Sequence, residues 1–156
     1  MHCDFLSTNY PSGIDQISTQ QTFNDDQWHH FVVVRGSGGV IKIYADGDNQ
    51  TLVLNQGDGI NNENVNNAIS FAIGRKNSGG QSWDGLIDEV RIYSRALSST
   101  EISEHYQGVF KDETGLVGHW TFDKVESNGT VLDKSGQGNT GTLKPTYPTN
   151  CPAFIE

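Results

Sequence analysis

Apolar positions along the chain fall in short runs, several alternating with polar ones, and the runs are separated by Gly, Asn and Asp. A period of two sends alternate side chains to opposite faces, which marks a half-buried strand rather than a helix. On that pattern strands are predicted over His2–Leu6 and Gly13–Thr19. His29–Arg35 (HHFVVVR) is dense in aromatic and β-branched residues and predicts another. Val40–Ala45 (VIKIYA) places Ile41 and Ile43 on one face, with Lys42 and Tyr44 between them. The following Asp46-Gly47 is a positive-φ turn, predicted to join this strand to Thr51–Asn55 as a hairpin. Gln56–Asn67 (QGDGINNENVNN) is polar throughout and reads as a surface loop leading into the apolar run Ala68–Ile73.

Leu86–Tyr93 (LIDEVRIY) is a further predicted strand, and so is Gly115–Asp123 (GLVGHWTFD), whose Leu116, Gly118, Trp120 and Phe122 share a side. Thr142-Leu143 and Ala153–Ile155 are candidates for short edge strands. One helix is predicted. Ser98-Ser99-Thr100-Glu101 has capping-box spacing, Ile102 and Tyr106 lie four apart, and Gly108 is placed to end it. Short strands punctuated by tight turns, with one helix, indicate an all-β, two-sheet antiparallel sandwich rather than βαβ units.

Composition changes this picture little. Aliphatic and aromatic residues make up only 34% of 156, but 18 glycines bring the apolar share near that of an ordinary domain. Charge says more. Ten Lys and Arg against 19 Asp and Glu give a net charge of −9, which disfavours nucleic acid and anionic membranes as partners. No apolar run approaches the length of a membrane span, so membrane insertion is not expected. Cys3 and Cys151 lie near opposite ends without zinc-ligand spacing; a disulfide between them and two free thiols both satisfy the sequence. Met1–Leu6 has neither the basic start nor the apolar core of an export signal.

Two segments carry a family resemblance. Asp26–Tyr44 (DQWHHFVVVRGSGGVIKIY), with its Asp46-Gly47 turn, resembles the D-x-x-W-H-H strand and hairpin of laminin-G-like domains in the concanavalin A-like lectin/glucanase superfamily. Gly85–Glu101 (GLIDEVRIYSRALSSTE) resembles that family's final strand and closing helix, so the likeness spans residues 20–108. The implied fold is a concanavalin A-like jelly roll. Gly115–Leu143 resembles the family's first strand and first loop, yet here it follows the rest. Residues 1–110 therefore read as the C-terminal portion of the pattern and 111–156 as its displaced first-strand motif. Three arrangements satisfy this order: a fragment spanning two tandem modules, a circular permutant, or a sandwich completed by strand exchange in a homodimer. Leaving Trp120 and Phe122 on an unpaired tail would expose a large apolar area, which favours pairing of Gly115–Phe122.

Enzymes of the superfamily carry carboxylates on alternate residues of a Glu-x-Asp-x-Glu strand, which is missing here. Asp88 and Glu89 are adjacent and point to opposite faces, and no G-x-S-x-G nucleophile motif occurs, so no enzymatic activity is expected. His29 and His30 cannot readily share one ion for the same geometric reason and are expected to pack or hydrogen-bond. Asp88 shares the face of Val90 and Ile92, where a buried carboxylate needs backbone N–H groups or a cation. The resemblance implies structural Ca²⁺ as one solution, with Asp88, Asp123 and Asp133 as ligands. It also implies carbohydrate or a glycosylated surface as the partner, at an extracellular or cell-surface location, in a bacterium. Aromatic rings that stack on sugars are then needed, and Tyr44 and Trp83 are the site candidates, with Tyr10 and Tyr147 behind them. The competing readings are a structural spacer repeat of a larger secreted protein and, third, a glycan hydrolase.

Overall fold

The chain alternates β1 (His2–Leu6), β2 (Ile14–Thr19), β3 (Phe31–Arg35), β4 (Ile41–Ala45), β5 (Asp48–Asn49), β6 (Leu52–Gln56) and β7 (Val90–Tyr93) before its helix α1 (Ser99–Tyr106). Then follow β8 (Leu116–Trp120), β9 (Thr130–Val131) and β10 (Gly141–Thr142). This computed structural model describes residues 2–6, 14–56, 71–74, 83 and 85–143. The loop from 57 to 67, Tyr10, Tyr147, Cys151 and the strand candidate Ala153–Ile155 lie outside them. Every ladder among the described residues is antiparallel. By internal contacts the chain divides into two compact units, Met1–Asn67 with Ala96–Asp112, and Ala68–Arg95 with Glu113–Glu156.

The first unit holds two three-stranded sheets, β1-β2-β6 and β3-β4-β5. Its hairpin is shorter than the sequence predicts. Asp46 and Gly47 take φ of 53° and 87°, and the strand returning after them is β5, which pairs Tyr44 with Asn49 and Ala45 with Asp48. The chain then changes sheets. Gln50 N still donates to Ile43 O (2.8 Å), but the next carbonyl, Thr51 O, accepts from Gln20 N (3.0 Å), and β6 joins β2. Thr51–Asn55 thus pairs away from β4, because the apolar run resumes only after a polar corner long enough to turn it.

Helix α1 forms as its cap predicts. Ser98 Oγ accepts from Glu101 N (3.2 Å), while Glu101 Oε2 accepts from Ser98 N (2.8 Å). Val109 N reaches back to Glu104 O (2.8 Å), and Gly108 at φ 75° closes the end. The buried face is Ile102 with His105, not Ile102 with Tyr106. Tyr106 is half exposed, stacks on His30 at 6.1 Å, and lies over Gly47, where a Cβ would meet its ring at 3.4 Å. Ser98→Ala removes one half of the cap and is expected to cost about 1 kcal/mol in urea unfolding. A change below about 0.3 kcal/mol would show that the cap contributes nothing.

The second unit is organised around β8. Its residues alternate in burial, with Leu116, Gly118 and Trp120 inward, and β7 pairs along it, Val90 opposite Trp120 and Ile92 opposite Gly118. Trp120 is the hub: its Nε1 donates to Asn139 O (3.0 Å), Phe71 stacks on it at 6.4 Å, and its ring covers Gly118. β7 begins four residues later than the apolar pattern predicts. Glu89 takes φ 52°, a left-handed conformation that ends the ladder, and residues 86–89 are not strand. Phe122, expected on the inner face of β8, likewise has φ 54° and lies beyond the strand. Residues 71–73 of the predicted apolar run form no strand, while the edge strand expected near Thr142 is present as β10, paired with β9.

Candidate functional site

In the first unit an imidazole ties the loop before β3 to the β4–β5 turn. His29 Nδ1 donates to Asp46 Oδ2 (2.7 Å) and Nε2 donates to Asp25 Oδ1 (2.9 Å), while Asp46 Oδ1 accepts from His30 N (2.9 Å). Both ring nitrogens face carboxylates, so the ring is satisfied in its doubly protonated form. The hydrogen bond to Asp46, then that to Asp25, raises the His29 pKa above the ordinary 6.5. The same contact holds Asp25 below the ordinary 3.8. A raised histidine pKa stabilises the fold below pH 6.5, and the contribution is lost as pH climbs through the folded-state value. Melting temperature is therefore expected to fall from pH 6 to pH 8.5 more in the wild type than in His29→Gln. Equal slopes would contradict the clamp.

In the second unit Asp133 gathers its own loop. Oδ1 accepts from His119 N and Ser135 N (both 2.9 Å), and Oδ2 accepts from Ser135 Oγ (2.9 Å) and Asn139 N (2.8 Å). Burial pushes this carboxyl up, but the bonds from Ser135, His119 and Asn139 outweigh it and bring the pKa down to about 2. Beside it, Glu89 Oε2 accepts from Arg91 Nη1 (2.7 Å) and His119 Nε2 (2.9 Å), bridging the cross-strand pair Arg91–His119. These bonds hold Glu89 in its left-handed conformation.

The residues expected to bind Ca²⁺ are not assembled. Asp88 is exposed rather than on the core face, because the turn at Glu89 takes it off the strand, and its Oδ1 accepts from Glu89 N (2.8 Å). Asp123 is exposed, and Asp133 already accepts four bonds from the chain. Among the described residues no group of three or more His, Cys, Asp or Glu is placed to hold a metal ion. Ca²⁺ takes six to eight converging oxygens, and these three carboxylates do not fit it.

The sugar-site candidates separate as well. Trp83 is 47% exposed and donates through Nε1 to Leu86 O (3.3 Å), so its indole is anchored yet accessible. Tyr44 is only 8% exposed. It sits on the central strand of its sheet, between Val32 and Asn49 in register, and at that exposure its ring is not open as the predicted stacking platform. Tyr44 instead lines a cavity of about 400 Å³, together with Val34, Val40, Lys42, Leu97 and Ser99 among others. Lys42 and Val34 are register partners across β3–β4, and Tyr44 follows Lys42 on the same face. The far wall, 96–99, is the segment that caps α1. Sequence reasoning missed Lys42, Leu97 and Ser99; the shared parity of Lys42 and Tyr44 was the only available signal.

Short strands in antiparallel sheets, with a single capped helix following β7 among the described residues, define the laminin-G-like class of module. The family model of the concanavalin A-like lectin/glucanases superfamily, laminin G type, matches residues 3–103, and this chain belongs to that family. It is also similar to Adhesion G-protein coupled receptor V1 of Danio rerio, 31% identical over 118 residues, which is 74% of this chain. The chain spans 2% of that receptor's length. No solved structure matches it.

Proposed function

We propose that this chain is a non-catalytic recognition module, working outside the cell or at its surface and binding carbohydrate. The observation that carries the reading is the cavity on the β3–β4 face, whose lining residues combine Val34, Val40 and Leu97 with Tyr44, Lys42 and serines. A pocket of a few hundred Å³ with a small set of placed polar groups is the usual form of a small-ligand site. Family membership supports the reading, and the similarity to an adhesion receptor supports an adhesive setting.

Catalysis finds less support. The carboxylates that approach other ionisable groups are committed: Asp25 and Asp46 to His29, Glu89 to Arg91 and His119, Asp133 to its loop. None of these is left as a paired acid and base across an open cleft, as glycoside hydrolysis requires. Labelled protein on a glycan array tests the proposal, and saturable binding to a defined set of glycans is the expected result. A blank array would overturn it and leave a structural spacer as the reading.

A further inference from the structure

We propose that Asn128 is an acceptor for N-linked glycosylation, carried in a turn whose own bonds present its amide nitrogen to solvent. This rests on the extracellular setting proposed above and adds a covalent modification that the recognition reading does not require.

A carboxamide becomes an acceptor when a serine or threonine stands two residues after it, with any residue but proline between them. The sequence holds this spacing twice, at Asn49-Gln50-Thr51 and at Asn128-Gly129-Thr130. Such triplets are common, so the spacing alone selects neither. Both asparagines are exposed, but their backbones differ.

The second triplet closes a turn. Gly129 N donates to Glu126 O and Glu126 N donates to Thr130 O (both 2.8 Å), with Gly129 at φ 77°. Within the turn Asn128 Oδ1 accepts from Thr130 N (3.2 Å) and from Thr130 Oγ1 (2.7 Å). A backbone N–H can only donate, so these bonds fix which end of the carboxamide faces the chain. Nδ2 is the other end, and nothing among the described residues bonds to it. The surroundings are open as well: a Cβ on Gly129 would meet no atom within 4 Å. The bonds between Asn128 and Thr130 lie within three residues, so they do not wait for the sheets to form.

The first triplet is held differently. Asn49 belongs to β5, opposite Tyr44, while Gln50 N donates to Ile43 O (2.8 Å) and Thr51 O accepts from Gln20 N (3.0 Å). These bonds take the segment from one sheet to the next, and none among the described residues joins Asn49 to Thr51. The contact between amide oxygen and hydroxyl that marks Asn128 is missing there.

The sugar donor is of the polyprenyl-pyrophosphate-linked oligosaccharide class, delivered by a transferase. Asn128 Nδ2 forms the bond to the anomeric carbon, and the bond from that carbon to the pyrophosphate oxygen breaks. The pyrophosphate leaves with the electron pair, and one amide proton passes to a base. The product keeps Oδ1, so both bonds from Thr130 survive, and the sugar extends from the exposed end of the amide.

The test is secretion of the full chain from cultured human cells behind a cleaved leader peptide. Intact mass is read before and after peptide N-glycosidase, in medium and in cell extract, for wild type, Asn128→Asp, Thr130→Val and Asn49→Asp. Asn128→Asp keeps acceptor oxygens for Thr130, and so the turn, but cannot take the sugar. Thr130→Val keeps a β-branched side chain on β9 and removes the hydroxyl. The wild type is expected to carry a glycan that the enzyme removes, lost in Asn128→Asp and in Thr130→Val and retained in Asn49→Asp. A bare wild-type chain in the medium, or a glycan that Asn128→Asp leaves unchanged, would overturn the acceptor while the extracellular reading stands. A glycan on chain found only inside the cells would support the acceptor and count against the extracellular reading.

Discussion

Trp120→Ala is expected to lower the free energy of unfolding by about 3–5 kcal/mol, the usual cost of emptying an aromatic core position. Trp120 is only 7% exposed, and its ring is held on several sides at once. Gly118 lies against one face, Phe71 stacks on the ring, and Asn139 O binds the indole N–H. Asn139 in turn donates through Nδ2 to Val117 O (2.7 Å), so the ring and the loop fix each other. A companion change attacks the same contact from the other side. A Cβ on Gly118 would come within 2.4 Å of Trp120 Cη2, so Gly118→Ala cannot be made without moving the indole. That change is expected to cost about 1–3 kcal/mol through overpacking. Urea unfolding followed by circular dichroism reads both, and a neutral Gly118→Ala would show that the indole does not rest there.

Asp133→Ala is expected to be the next most damaging change, at roughly 3 kcal/mol. It strands the N–H groups of His119, Ser135 and Asn139, each costing about 1–3 kcal/mol where water does not replace the lost acceptor. The wild-type carboxyl, with its pKa of about 2, adds a pH signature of defined sign. A depressed carboxylate stabilises the fold above its unfolded value and loses that contribution as pH falls through the folded value. Stability of the wild type should therefore decline from about pH 4 towards pH 2 more steeply than that of Asp133→Ala. Parallel acid limbs would mean that Asp133 does not organise the loop.

Much of this fold was legible because local chemistry and tertiary packing agree. The capping box at Ser98–Glu101, the alternation in Val40–Ala45 and the inward parity of Leu116, Gly118 and Trp120 each specify their element without outside help. The misreadings at the ends of β7 and β8 share one cause. Glu89 and Phe122 both take positive φ, and nothing in their side chains requires it. At Glu89 the conformation is set by Arg91 and His119, a cross-strand pair that exists only once β7 meets β8. That turn also moved Asp88 from the expected core face into solvent. Tyr44 shows a second limit, since alternation gives which face a side chain takes but not what covers it. The cavity it lines joins β3–β4 to residues 96–99, more than fifty positions away, and no local pattern announces such a meeting.

The segment resembling the family's first strand comes last, and it pairs with Val90–Tyr93, the strand that precedes the helix. We infer that in solution this partner comes from the same chain, so that residues 111–156 serve their own module. Light scattering across a concentration series tests this most directly. A mass near 17.1 kDa at every concentration is the predicted result. A stable mass of twice that value, falling to the single-chain mass when residues 111–156 are removed, would contradict it and assign β8 to an exchanged strand.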